Sequence, residues 1–150
     1  MVAKIKTFAF LGTEVVDINV EVKLSSGIVA FNIVGLPDKT VNEAKERIRA
    51  SINSIGLNFP AQRLVINLSP ADINKEGSYL DLPMAIGLLI EMGIISQESI
   101  DRFVVVGELS LDGSIRHVKG VLPILISARK LGCTKVVLPK ENAEEARYIS

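Results

Sequence analysis

The first secondary-structure elements are determined by the stretch Val16-Asp17-Ile18-Asn19-Val20-Glu21-Val22-Lys23, in which apolar and polar residues alternate. An alternation with a period of two predicts a strand with one buried face. We expect residues 4–11 to form a partner strand. The turn residues Ser25-Ser26-Gly27 lead to a further β-rich run at 28–34, which predicts an antiparallel hairpin with the 16–23 strand.

A helix is predicted after Gly35-Leu36-Pro37. It begins near Asp38 or Thr40, because Asp38 is a good cap and residues 40–43 match a capping box. Apolar residues recur here every three or four positions, which predicts one buried stripe. The stripe consists of Val41, Ala44, Ile48, Ile52 and Ile55, and Gly56 is the expected terminator.

The rest of the chain alternates between strands and helices. Its patterns predict strands at 64–68, 103–106 and 135–138, helices at 80–92, 120–131 and from 140 to the end, and an Asp112-Gly113 hairpin turn between Leu109 and Ile115. This order predicts an α+β domain in which a sheet is packed with helices. We expect a single domain over 1–150, and the uncapped helical pattern at Ser150 predicts a fragment of a longer chain.

Composition narrows the classes of function. Basic and acidic residues number 17 each, so no overall positive field favours nucleic acid, and a DNA contact needs a local patch. One cysteine, Cys133, and one histidine, His117, make neither an internal disulfide nor a zinc site. No apolar run is long enough to span a membrane and no signal peptide is present, so we expect a cytoplasmic protein.

The segment from Gly35 to Thr40 resembles only the end of a phosphate-binding loop. Such loops are rich in glycine because their backbone N–H groups surround the phosphates. Asp38 stands where the second glycine is needed and would bring a negative charge to the phosphate. We interpret this segment as a strand-to-helix turn.

Carboxylates at Asp72, Glu76, Asp81 and Glu108 are of the type that binds magnesium or calcium. Nothing in their spacing fixes a common geometry. Asp81 is more simply the cap of the helix that follows it, and Glu76 lies in a solvated turn. We therefore expect no metal site. His117 is a chemically able base, but with no nucleophile motif nearby we expect a partly exposed residue at a strand end.

Basic residues are the candidates for a nucleic-acid contact. Lys45 and Arg49 share a face of the predicted helix by their spacing of four, and Arg47 is expected to pair with Glu43. Convergence into a phosphate-binding patch is the functional interpretation, and scattered solvated charges are the alternative. The candidates are Lys45, Arg49, Arg63 and Lys75, with Arg116 and Lys119 as secondary ones.

Short motifs in a fixed order resemble those of a known family. They are residues 31–38 (Phe-Asn-Ile-Val-Gly-Leu-Pro-Asp), Glu43 with Arg47 and Arg49, residues 65–72 (Val-Ile-Asn-Leu-Ser-Pro-Ala-Asp), Lys75-Glu76-Gly77 and Asp81-Leu82-Pro83. Together they resemble the amino-terminal domain of the magnesium-chelatase-like AAA+ ATPases, the ComM or YifB family of bacteria. The resemblance covers essentially the whole chain.

This resemblance implies a fold similar to domain 2 of ribosomal protein S5 and to the Lon protease domain. It implies that a hexameric AAA+ ATPase module using ATP and Mg²⁺ follows in the intact protein, which acts in DNA processing such as branch migration during natural transformation. The implied partners are that module, neighbouring subunits and DNA, without a membrane. The present chain has no Walker motif, so we expect it to need no cofactor and to hydrolyse no ATP by itself.

Residues 107–116 and 120–139 also resemble Lon and the RadA recombination ATPase. Lon uses a serine nucleophile activated by a lysine. The resemblance puts Tyr79 at the serine position and Leu122 at the lysine position, so the dyad is absent. Ser78 lies one residue and Lys119 three residues away from these positions, which leaves a shifted pair as an alternative.

The sequence therefore predicts a module without catalytic residues that regulates and assembles a ring ATPase and helps it engage DNA. Two alternatives stay open. One is a protein-interaction or oligomerisation domain without DNA contact, and the other is a residual serine hydrolase at Ser78.

Overall fold

Eight strands and three α-helices form the part of the chain that the structure describes. The computed structural model describes residues 2–132 and 135–142, with only the backbone of Glu141. The strands are β1 (Ala3–Leu11), β2 (Glu14–Ser25), β3 (Ala30–Val34), β4 (Arg63–Ser69), β5 (Phe103–Val105), β6 (Glu108–Leu109), β7 (Ile115–Arg116) and β8 (Lys135–Val137). The helices are α1 (Lys39–Ser54), α2 (Asp81–Glu91) and α3 (Val121–Lys130), with 3₁₀ turns at Gln97–Ser99 and Lys140–Asn142.

Six of these strands form one mixed sheet in the order β3-β4-β2-β1-β5-β8. β1 and β2 are antiparallel, as expected, and β2 is antiparallel to β4. β3 runs parallel to β4, while β5 runs parallel to both β1 and β8. The architecture is α+β, in agreement with the prediction.

The expected hairpin between β2 and the 28–34 run is wrong, because β4 lies between the two strands. The inward residues of β4, Leu64, Ile66 and Leu68, are fully buried. Placing this strand in the interior of the sheet removes all three side chains from water and pairs both of its edges. The burial and the two-sided hydrogen bonding of β4 favour this order of strands over a local hairpin between β2 and β3.

Helix α1 begins where the sequence predicts. Asp38 is its cap, and the carboxylate accepts a hydrogen bond from the Val41 N–H at 2.8 Å. The predicted stripe is buried as far as Ile52. Ile55 is 56% exposed, so its assignment to the buried stripe is wrong. It follows the last helical residue, and Gly56 turns the chain away from the core with φ 88°.

The sheet carries helices on both faces. One face packs against α1 and α2 and forms the larger core cluster, which includes Ile5, Val20, Ile48, Leu64 and Leu88. The other face packs against α3 at Phe8 and Val104. Because successive side chains of a strand point to opposite faces, β1 contributes to both clusters.

The remaining predicted elements are confirmed within one or two residues. β6 and β7 form a hairpin around Asp112-Gly113, and α2, α3, β5 and β8 lie where the patterns predict. Of the helix expected from residue 140 onward, the described residues include only a 3₁₀ turn over Lys140–Asn142, and the rest of that prediction lies outside the described residues. No helix among the described residues is long and apolar enough to cross a membrane.

Close packing of α2 on the sheet depends on Gly87. A Cβ at this position would collide with the buried Val22 side chain of β2. We expect Gly87→Ala to lower the free energy of unfolding by about 1–3 kcal/mol, since overpacking outweighs the gain in helix propensity of about 1 kcal/mol. Urea denaturation measures the change. Asn42→Ala, at an exposed position of α1, is the control, and equal stability of the two variants would refute this account.

Candidate functional site

Two of the motifs that resemble the ComM or YifB family, residues 31–38 and Lys75-Glu76-Gly77, are hydrogen-bonded to each other. The Lys75 N–H donates to the Leu36 carbonyl at 3.0 Å, and the Asp38 N–H donates to the Lys75 carbonyl at 2.9 Å. Gly35, with φ 100°, lies so close to β4 that a Cβ would collide with the Leu68 carbonyl. The turn at 35–38 therefore anchors the segment before Ser78 and Tyr79.

Lys75 is fully buried, and its ammonium donates a hydrogen bond to the Pro70 carbonyl. Burial lowers the pKa of Lys75, and the charge of Asp72 opposes that shift. A DNA contact through Lys75 does not fit this placement, because its ammonium lies inside the loop. Sequence reasoning missed this, since Lys75-Glu76-Gly77 has the composition of an exposed turn.

The 35–40 segment does not fit the phosphates of ATP. The Asp38 carboxylate occupies the amino-terminal end of α1, where the backbone donors of a phosphate-binding loop are needed. Gly35 lies against β4 and leaves no space on that side. The segment is a strand-to-helix turn, as the sequence predicts.

A buried ion pair joins α1, α2 and β6. Arg47 donates to both carboxylate oxygens of Asp81, from Nε at 2.6 Å and from Nη2 at 3.0 Å. The Leu109 N–H donates to the same carboxylate at 3.1 Å. Burial raises the pKa of Asp81, and the hydrogen bonds from Arg47 and Leu109 oppose that shift. The hydrogen bond to Asp81 raises the pKa of Arg47.

This geometry corrects two predictions. Asp81 is not the helix cap, because the cap position is Leu80 and the Asp81 side chain turns inward to Arg47. Arg47 pairs with Asp81 and not with Glu43. The carboxylate is thus already occupied, and the described residues contain no group of three His, Cys, Asp or Glu side chains able to hold a metal ion.

A cleft of about 410 Å³ lies where the loop before α2 meets the segment before α3. The Tyr79 hydroxyl accepts a hydrogen bond from the Phe10 N–H at 3.1 Å, and the two rings meet edge to face at 6.0 Å. Burial raises the pKa of Tyr79. Gly120, with φ 79°, is required here, because a Cβ would approach the Phe10 ring to 2.6 Å.

Polar side chains surround these aromatic rings. The Ser78 hydroxyl donates to the Glu108 carboxylate, and the Arg116 Nε lies 3.7 Å from the other oxygen of Glu108. His117 and Lys119 are exposed and line the same cleft. Their segment is held by the buried Asn142, which exchanges hydrogen bonds of 3.0 and 2.9 Å with the Val118 backbone.

The cleft therefore brings Ser78, Tyr79 and Lys119 together. Leu122, half-buried in α3, is not one of the described residues that line it. A serine nucleophile needs a base that takes its proton, as a lysine amine or an imidazole does. The Ser78 hydroxyl donates instead to a carboxylate that also faces Arg116. Sequence reasoning missed Glu108 in this role because the two residues are thirty positions apart.

The remaining basic candidates do not lie together. Lys45 and Arg49 are on α1, and the Arg49 guanidinium lies 4.5 Å above the Phe59 ring, which stacks on Phe31. Arg63 is exposed at the start of β4 and, by strand alternation, points to the opposite face of the sheet.

The chain forms an α+β module with helices on both faces of a mixed sheet. Its cleft holds a serine beside a carboxylate. Residues 20–142 match the family described as subunit ChlI of Mg-chelatase, so the chain belongs to this family. It is 39% identical to competence protein ComM of Haemophilus influenzae over 142 residues, and 40% identical to YifB of Escherichia coli over 146 residues. These matches cover 95% and 97% of this chain.

The chain spans less than a third of the length of these relatives, 28% of ComM and 29% of YifB. Similarity to Lon protease 2 of Bacillus subtilis is weaker, at 28% identity over 126 residues, which are 79% of this chain and 22% of that protease. The resemblances to the ComM or YifB family and to Lon are thus both found in the comparison.

We expect the two partners of the buried ion pair to respond unequally to substitution. Arg47→Met leaves the fully buried Asp81 carboxylate without its cation, and stability should fall by about 3–5 kcal/mol. Asp81→Asn keeps an acceptor for the Leu109 N–H and should cost about 1–3 kcal/mol, because Arg47 is 20% exposed and can reach water. Chemical denaturation tests the order, with Glu46→Gln as control, and a larger loss for Asp81→Asn would refute it.

Proposed function

We propose that this chain is a regulatory and assembly module, without catalytic activity of its own, within a ComM-like AAA+ ATPase. The observation that carries the proposal is the state of Tyr79. On the resemblance to Lon, Tyr79 holds the position of the nucleophile, and its half-buried side chain is bound through the hydroxyl to the Phe10 N–H. A tyrosine held in this way stabilises the fold and offers no nucleophile.

The proposal extends to the intact protein. We propose that its ATP and Mg²⁺ sites lie in a following AAA+ module, that the subunits form a hexameric ring, and that ATP hydrolysis is coupled in the cytoplasm to branch migration or other DNA processing. The similarity to a competence protein supports a role in competence or recombination. The proposed fold relationship is to domain 2 of ribosomal protein S5 and to the Lon protease domain, which the similarity to Lon supports.

Removing this module from the intact protein tests the proposal. We expect deletion of residues 1–150 to abolish ring assembly or to reduce DNA-stimulated ATP hydrolysis at least tenfold, with the ATPase module still folded. Analytical ultracentrifugation and a phosphate-release assay measure the two effects. Ser78→Ala is the matched control and should leave both unchanged. Full assembly and full stimulation of the deleted protein would refute the proposal.

A residual serine hydrolase is the second candidate. The observation that favours it is the hydrogen bond from Ser78 to Glu108, in a cleft that Lys119 also lines. A carboxylate beside a serine hydroxyl is a proton acceptor, although it lacks the lysine amine of the Lon dyad.

A fluorophosphonate probe separates the two candidates. A non-catalytic module should show no labelling above that of Ser78→Ala. Labelling that disappears in Ser78→Ala and in Glu108→Gln, but persists in the exposed control Ser114→Ala, would establish the hydrolase and refute the non-catalytic proposal.

A further inference from the structure

One region of the large sheet has no described helix over it. α3 packs against Phe8 of β1 and Val104 of β5, which leaves the amino-terminal half of β1 uncovered together with the adjacent parts of β2, β4 and β3. We call this surface the open face. Its outward side chains include Lys4, Lys6, Asn19, Lys23, Asn32 and Arg63, all exposed.

The cations of the open face form a diagonal row across three strands. Lys6 and Lys4 are successive outward residues of β1, and Lys4 pairs with Glu21. Lys23 is the next outward residue of β2 after Glu21, and it pairs with Val65. Arg63 is the outward residue of β4 before Val65. Each step from one cation to the next, in the order Lys6, Lys4, Lys23 and Arg63, moves toward the carboxyl-terminal end of β2.

The spacing of this row follows from strand geometry. Outward residues of one strand are roughly 7 Å apart, and neighbouring strands are about 4.8 Å apart, so consecutive cations are separated by roughly 7–8 Å. The row spans roughly 20 Å in total. A groove of about 310 Å³ lies at one end of the row, where Lys23 and Arg63 line it together with Glu21, Asn67 and the apolar side chains of Val2 and Val65. A single file of cations across an exposed face of the sheet suits a linear polyanion.

Charge on the open face is unevenly distributed, although the whole chain has no net charge. Between the cations the row meets one carboxylate, Glu21, which accepts a hydrogen bond from the Asn67 side chain at 2.8 Å. Asp17 lies at the border, paired with Phe8 under α3. The excess of cations is therefore local and directed along the row.

We propose that the open face binds the phosphodiester backbone of a nucleic acid along the row Lys6, Lys4, Lys23 and Arg63. The proposal rests on the proposed role in DNA processing and assigns the surface that makes the contact. Besides the four cations, the outward residues of this face include Glu21, the asparagines Asn19, Asn32 and Asn67, and the apolar Val34 and Val65, with no aromatic ring beyond the part under α3. Binding is therefore to phosphates, independent of base sequence and strongly dependent on salt.

Neutralising the row tests the proposal. The full chain carrying Lys4→Gln, Lys6→Gln, Lys23→Gln and Arg63→Gln is compared with a control that removes three lysines and one arginine elsewhere, by Lys39→Gln, Lys130→Gln, Lys140→Gln and Arg102→Gln. All eight side chains are exposed. Fluorescence anisotropy of labelled single-stranded and duplex oligonucleotides is measured over a series of NaCl concentrations.

We expect the row variant to bind at least tenfold more weakly than the control at 0.1 M NaCl. Its plot of log affinity against log salt should be shallower by about three, since each lost phosphate contact removes 0.7 to 0.9 from the slope. The single-stranded and duplex arms identify which form is bound more tightly. Each single substitution should lower the slope by about 0.8, which provides the test if the quadruple variant does not fold.

Equal affinities and slopes for the row variant and its control would overturn the inference. So would a wild-type chain that binds vesicles of acidic phospholipid but neither oligonucleotide. The proposed module function is judged separately, by ring assembly and ATP hydrolysis after deletion of residues 1–150. A row variant that assembles normally and still binds DNA as the control does would therefore refute the surface and leave that function standing.

Discussion

The ion pair between Arg47 and Asp81 is the interaction on which the arrangement of the helices and the cleft depends. It joins the middle of α1 to the first residue of α2, and the Leu109 N–H adds β6 to the same carboxylate. Two further hydrogen bonds tie the start of α2 to the sheet, from Leu82 to the Gly107 carbonyl and from Gly107 to the Tyr79 carbonyl. Ser78 and Glu108 meet across the cleft because this junction fixes both of their backbones.

Local patterns predict most elements, because a buried stripe or an alternating strand depends on neighbours in sequence. The order of strands in the sheet depends on partners that are distant in sequence, which is why the predicted pairing of β2 with β3 is wrong. An alternating run such as 16–23 identifies which residues face outward but not which strand lies beside them. Insertion of β4 brings Arg63 next to β2, so the row with Lys4 and Lys23 was not predictable without that order.

The candidate site was predictable only in part for a similar reason. Ser78 and Lys119, the shifted pair that the resemblance to Lon leaves open, line the same cleft, and Tyr79 lines it with them. The burial of Lys75 and the pairing of Arg47 with Asp81 depend on contacts between segments far apart in sequence. Hydrophobic periodicity predicts the positions of apolar residues and says nothing about the partners of charged ones. Composition alone favours an exposed position for both, and tertiary structure decides otherwise.

The Tyr79 ring is held at the cleft by neighbours whose own positions leave space for it. A Cβ at Gly77 would collide with the Tyr79 ring, and Gly120 leaves space for Phe10, which packs against that same ring. A serine at position 79 would leave a void among these residues and remove the acceptor of the Phe10 N–H. Because these neighbours fit the tyrosine, a smaller side chain at position 79 alone lowers stability. In evolutionary terms, the tyrosine is entrenched by its own packing.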